Sequence, residues 1–129
     1  MREKLIEMAK KARENAYAPY SNFKVGAAIL TEDGKIFTGA NVENSSYGLS
    51  VCAERVALFK AVSEGYRKFK AIAVVTDSEP PAYPCGACRQ VLWEFGDMEV
   101  IVANLKGDVR VVKLSELIPE GFRFRGAEG

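Results

Sequence analysis

The sequence predicts an α/β fold in three layers, α/β/α, built on a mixed five-stranded sheet. Three observations lead there. Residues 25–30 and 71–75 are apolar at successive positions, as strands covered on both faces are. From residue 51 to 104 the pattern runs helix, strand, helix, strand, which calls for helices packed against a sheet. No repeat, low-complexity tract or linker divides the 129 residues, so they read as one domain, 1–129.

Each element has its own signal. Leu5, Met8, Ala9, Ala12 and Ala16 recur at helical spacing among lysines, arginines and glutamates, which predicts an amphipathic helix over 2–16, stopped by Pro19. Val25, Ala27 and Ile29 alternate with Gly26, Ala28 and Leu30. Asp33-Gly34 then turns the chain into a second run from Lys35 to Asn41, giving a hairpin expected to be buried on both sides. The segment VCAERVALFKAV at 51–62 has no Gly or Pro and only Glu54, Arg55 and Lys60 as charges, so it reads as a buried helix. AIAVV at 71–75 is an interior strand, TDSEPPAYP a loop, and a helix follows from about Cys85 to Phe95. MEVIVANLKGDVRVV gives two strands joined across Lys106-Gly107-Asp108, and SELIP one short helical turn with Ser115 as its cap.

Composition narrows the function. Apolar residues are 48 % and charged residues 27 %, with 18 basic against 17 acidic side chains and a net charge of +1. That balance offers no electrostatic footprint for nucleic acid or for an anionic membrane, so neither is an expected partner. The first 17 residues are charged throughout and lack the apolar core of a signal peptide, and no apolar run reaches bilayer length, so the expected location is cytoplasmic. There are three cysteines and no histidine. An odd number of thiols in a reducing compartment favours metal or reactive-thiol chemistry over a disulfide framework.

Cys85-Gly-Ala-Cys88 has the spacing of a redox pair at a helix start. A redox pair, however, leaves Cys52 unexplained, and a proline-bearing loop stands where thioredoxin-like proteins run a strand straight into the motif. Taken with Cys52, the motif offers three thiols at two helix N-termini, where the helix dipoles favour thiolate. Three thiolates are one short of a closed structural zinc site, whereas a catalytic site keeps its fourth position for water. Glu54, two residues after Cys52, lies in the first turn of an apolar helix. A helix-end charge favoured by the dipole is its plain reading, but a Glu-Arg pair inside so apolar a segment is expensive to bury and points to use.

C-A-E at 52–54 together with P-C-G-A-C-R-Q at 84–90 resembles the signature of the zinc-dependent cytidine deaminases, in the short-chain, homotetrameric form whose first ligand is Cys. YSNFKVGAA at 20–28, NVENSSYG at 41–48, CAERVALFKA at 52–61 and the ELIP segment resemble further blocks of that family in the same order. The resemblance implies one zinc ion per subunit held by Cys52, Cys85 and Cys88. It implies hydrolytic deamination of cytidine, deoxycytidine or both by zinc-activated water, a step of pyrimidine salvage, with Glu54 as the catalytic proton carrier. It further implies that the Ala53 N–H and the Cys85 region hold the base edge, that Phe23 packs on the pyrimidine, and that Asn41 and Glu43 take the ribose hydroxyls.

Tyr47 and Phe122 resemble positions through which a neighbouring subunit completes the pocket, giving a homotetramer with shared active sites. Three thiolates would leave the metal with negative charge, and Arg55 is the cation placed to offset it. Two features depart from the family pattern: the ending RFRGAEG at 123–129, and Ser45 and Ser46 where small apolar residues are usual. Read without the resemblance, Asn41 and Glu43 suit a strand end followed by an Asx-type turn, and Phe23 an ordinary strand phenylalanine. Two other functions fit the metal residues: a deaminase of the same superfamily acting on a blasticidin-like nucleoside, and a structural zinc module that would need a fourth ligand.

Overall fold

The computed structural model describes residues 1–124. Helix α1 (Arg2–Arg13) leads into strands β1 (Gly26–Thr31) and β2 (Ile36–Ala40). A short 3₁₀ turn at Tyr47–Leu49 precedes α2 (Ala53–Ser63), β3 (Phe69–Thr76), α3 (Gly86–Trp93), β4 (Glu99–Asn104), β5 (Val109–Lys113) and the one-turn α4 (Leu114–Leu117). The sheet order is β2-β1-β3-β4-β5. Strands β3 and β4 run parallel and the other neighbours antiparallel, so the sheet is mixed and five-stranded as predicted.

Alternation along the strands sorts the core into two faces. Ala28 and Leu30 of β1, Ala71, Ala73 and Val75 of β3, and Ile101 and Ala103 of β4 meet Leu5 and Ala9 of α1. On the other face Ala27, Ile29, Ile72, Val74, Val100 and Val102 pack with Ala57, Leu58 and Ala61 of α2 and Leu92 of α3. The three layers follow directly from those two apolar sets.

Two glycines set how closely the helices approach. A Cβ on Gly26 would lie 1.9 Å from the Ala9 carbonyl oxygen in α1, and one on Gly39 would lie 2.5 Å from the Ala57 nitrogen and 2.7 Å from the Ala53 oxygen in α2. Gly39 therefore lets β2 lie against the backbone of the turn that carries Cys52 and Glu54. At the far end of the sheet Arg2 grips Glu99 of β4 with two hydrogen bonds of 2.8 Å, fastening the start of α1.

Several boundaries differ from expectation. Helix α1 ends at Arg13, three residues before Ala16, because Tyr17 leaves to bridge Val42 and donates its N–H to the Asn41 carbonyl at 2.9 Å, so Pro19 is not its terminator. The hairpin is not buried on both sides: β1 is, but β2 is the sheet edge and mostly half-buried. Val51 pairs with Val42 and Cys52 becomes the N-cap, so α2 begins at Ala53. Ser115 lies inside α4 and does not cap it; Lys113 is the N-cap, and its N–H donates to the Glu116 carboxylate at 3.0 Å. Of the atypical tail, residues 125–129 lie outside the described residues.

Candidate metal centre and active site

Cys52 and Cys85 are the N-cap residues of α2 and α3, both with extended backbone, and Cys88 stands in the first turn of α3. Neither N-cap side chain makes a capping hydrogen bond to its own helix, so the positive ends of two helices face a group of sulfurs instead of capping oxygens. The three Sγ atoms all lie within 4.8 Å of one another, with Cys52 to Cys85 at 4.0 Å and Cys85 to Cys88 at 3.4 Å. Ligands about 2.3 Å from a tetrahedral zinc sit roughly 3.8 Å apart, so these spacings fit one ion.

The electrostatics fit a cation equally well. The neighbouring Cys88 thiol, and after it the Arg55 guanidinium, hold Cys52 down at about 5 against the effect of burial. The nearness of Cys52, together with burial, pushes Cys88 upward. Three sulfurs this close cannot all be thiolates unless a positive ion stands among them.

Glu54 shares the first turn of α2 and is 5 % exposed. Burial pushes its carboxyl up to about 7, and the negative charge of Cys52 adds to the shift. Arg55, next along, donates from Nη2 to the Cys52 Sγ at 3.5 Å, while its Nε is buried without a partner.

A cavity of about 270 Å³, near the small end of ligand pockets at roughly 300–1,000 Å³, opens onto these groups. Cys52, Ala53, Glu54 and Cys85 line it together with Phe23, Asn41 and Glu43. The sequence had put all seven at the site. A second cleft of about 220 Å³, formed by Tyr20 and Tyr47 with Ser21, Glu43 and Ser50, adjoins it through Ser21 and Glu43.

The side chains of Asn41 and Glu43 are already engaged. Asn41 accepts from the Val25 N–H and donates to the Phe23 carbonyl, both at 2.9 Å, which fixes the loop that presents Phe23. Glu43 accepts from the N–H groups of Tyr20 and Ser21 and from the Ser21 hydroxyl, whose bond holds its carboxyl below the usual carboxylate range. The Asx turn belongs to Asn44, whose Oδ1 accepts from the Ser46 N–H at 2.9 Å. Ser45, one of the two departures from the family pattern, meets the Tyr20 hydroxyl at 2.6 Å.

Tyr47 and Phe122 do not reach the cavity of their own chain and are 72 % and 63 % exposed. Sequence reasoning missed Ser21, Thr76 and Tyr83, which line the cavity. Ser21 follows Tyr20 in a loop whose approach to Glu43 exists only in three dimensions.

A mixed sheet carrying three converging thiols and one buried carboxyl at two helix N-termini defines an open metal site of the zinc hydrolase kind. The family described as the cytidine and deoxycytidylate deaminase zinc-binding region matches residues 1–104, and the chain belongs to that family. A cytidine deaminase of Sporosarcina psychrophila is 59 % identical over 122 residues, covering 93 % of this chain and 90 % of that protein. One of Halalkalibacterium halodurans is 56 % identical over 123 residues, covering 94 % and 93 %. The crystal structure of cytidine deaminase from Burkholderia pseudomallei superposes with a TM-score of 0.92 at 59 % identity, covering 95 % of this chain and 99 % of that one.

Proposed function

We propose that this chain hydrolyses cytidine and deoxycytidine to uridine and deoxyuridine with release of ammonia, in pyrimidine salvage in the cytoplasm. The observation that carries the reading is the convergence of the Cys52, Cys85 and Cys88 sulfurs, with Cys52 and Cys85 lining one cavity together with the buried Glu54. Zinc held by the three thiolates would supply Lewis acidity and a water activated near neutral pH. Glu54, raised to about 7, is poised to carry two protons in turn: one from the water that adds to C4, delivered to N3 of the pyrimidine, and a second from the new C4 hydroxyl, delivered to the amino group as the C4–N bond breaks and ammonia leaves. The Ala53 N–H and Cys85 hold the base edge, and Phe23 packs on the ring. Asn41 and Glu43, each held rigid by its loop bonds, keep unused hydrogen-bonding capacity for the ribose hydroxyls. Arg55 offsets the negative charge of the thiolates.

The exposed apolar residues support a homotetramer. Tyr47, Leu49, Phe59, Phe122 and Phe124 are about half or more uncovered in the single chain, apolar surface that contacts between subunits would cover. Tyr47 and Phe122, out of reach of their own cavity, would complete a neighbour's.

Loss of ultraviolet absorbance on mixing the protein with cytidine, deoxycytidine or blasticidin S, with zinc determined in the same sample, tests this function. Turnover of the first two with one zinc per chain is the expected result. Turnover of blasticidin S alone would assign the chain to the antibiotic, and zinc without turnover of any of the three would contradict an enzymatic role.

A further inference from the structure

We propose that Arg89 is a positioning residue for the metal centre: its guanidinium fastens the main chain beside Cys85 to the C-terminal helix and so holds the exposed thiol against the other two. The inference rests on the reading that the three cysteines hold zinc.

Cys88 is buried and Cys52 half-buried, but Cys85 is exposed and follows the loop 77–84. The far end of that loop is held by Asn104, which donates to the Ser78 carbonyl at 3.0 Å, and by the Lys106–Glu79 ion pair. Its near end is held by Arg89. Nε donates to the carbonyl of Pro84, the residue before Cys85, at 2.7 Å, and Nη1 donates to the carbonyl of Leu117 at the end of α4 at 3.0 Å. Helix-end carbonyls lack intrahelical partners, so Leu117 gives the guanidinium a fixed anchor. A planar fork holds its donors at fixed separate positions and so spans two carbonyls on different elements, a geometry that a lysine's three donors, gathered on one nitrogen at the end of a flexible stem, reproduce less well. The bond to Pro84 acts one peptide away from the sulfur that closes the ligand set, while the bond to Leu117 ties that peptide to the sheet through β5. Gln90 adds a parallel tether, donating from Nε2 to the Phe122 carbonyl at 3.1 Å.

The test compares zinc-loaded wild type, Arg89→Gln, Arg89→Lys and Ile101→Val, the last a mild core change on the opposite face of the sheet. Release of zinc to a chromogenic chelator is followed over time, alongside thermal unfolding and separate kcat and KM values for cytidine. Zinc release at least about tenfold faster in Arg89→Gln is expected, as outer-shell partners of metal ligands commonly give. Arg89→Lys should fall between, and Ile101→Val should release zinc at the wild-type rate despite its lower melting temperature. Release from Arg89→Gln within twofold of wild type, or acceleration in Ile101→Val in proportion to its lost stability, would overturn the proposal. If Arg89→Gln does not fold, wild-type release from Arg89→Lys would overturn it as well. Failure of the wild type itself to bind zinc would bring down the ligand reading, an outcome distinct from a zinc-loaded wild type whose Arg89 variants hold the metal as tightly.

Discussion

The Nη2 of Arg55 lies 3.5 Å from the Sγ of Cys52, three residues away at the start of α2. A guanidinium in contact with one thiolate of an all-sulfur ligand set withdraws negative charge from it without occupying a ligand position. Arg55→Gln should therefore keep the fold and the zinc but lower kcat by roughly 10- to 100-fold. Turnover per bound zinc, with circular dichroism as the control, reads this; undiminished turnover at full zinc occupancy would show that the contact is not used.

Gly39→Ala should destabilise the protein by roughly 1–3 kcal/mol, because the new methyl would meet backbone atoms of α2 that cannot rotate away. Gly48→Ala, where nothing stands within 4 Å, should be close to neutral. Urea midpoints of the two variants check the contrast. The first should also lose activity, since the clash falls on the turn beside Cys52 and Glu54.

Stripping zinc should lower the melting temperature and expose three titratable thiols per chain to a disulfide reagent, compared with few or none before stripping. Metal that binds only the folded ligand set stabilises by mass action, and its loss leaves sulfurs too close to ionise together. Differential scanning fluorimetry with and without chelator, followed by zinc add-back, measures both effects. An unchanged melting temperature would mean that the thiols do not hold a metal.

The Arg2–Glu99 pair predicts a pH dependence. The hydrogen bond from Arg2 holds the Glu99 carboxyl below its usual range. Its folded-state value is depressed, so its contribution is present above the ordinary carboxylate range and is lost as pH falls through the folded value. Glu99→Gln should be slightly less stable than wild type at pH 7, and the two should converge under acid conditions. Because Arg2 is exposed and Glu99 partly so, added salt should shrink the difference at pH 7 as well.

Much of this was open to a reader of the sequence. Apolar runs gave β1 and β3, and the missing histidine together with an odd thiol count turned a C-x-x-C into two thirds of a ligand set. A buried glutamate beside Cys52 was legible because charge is rare in so apolar a helix. Tertiary competition hid the rest. The end of α1 is set by the pairing of Tyr17 with Val42, twenty-five residues on, and the partial exposure of β2 by its place at the sheet edge. Arg89 reads in the sequence as an ordinary helical charge, since its partners Pro84 and Leu117 meet only when α4 packs against α3.

The central claim is that Glu54 moves protons beside a metal it does not bind. Glu54→Gln preserves shape and burial while removing the carboxylate, so zinc content and cytidine turnover measured on the same purified variant test the claim most directly. The expected result is one zinc per chain with activity reduced by at least about a thousandfold, within the range by which positioned acid–base groups accelerate reactions. A zinc-loaded Glu54→Gln protein that deaminates cytidine at a rate near wild type would contradict it.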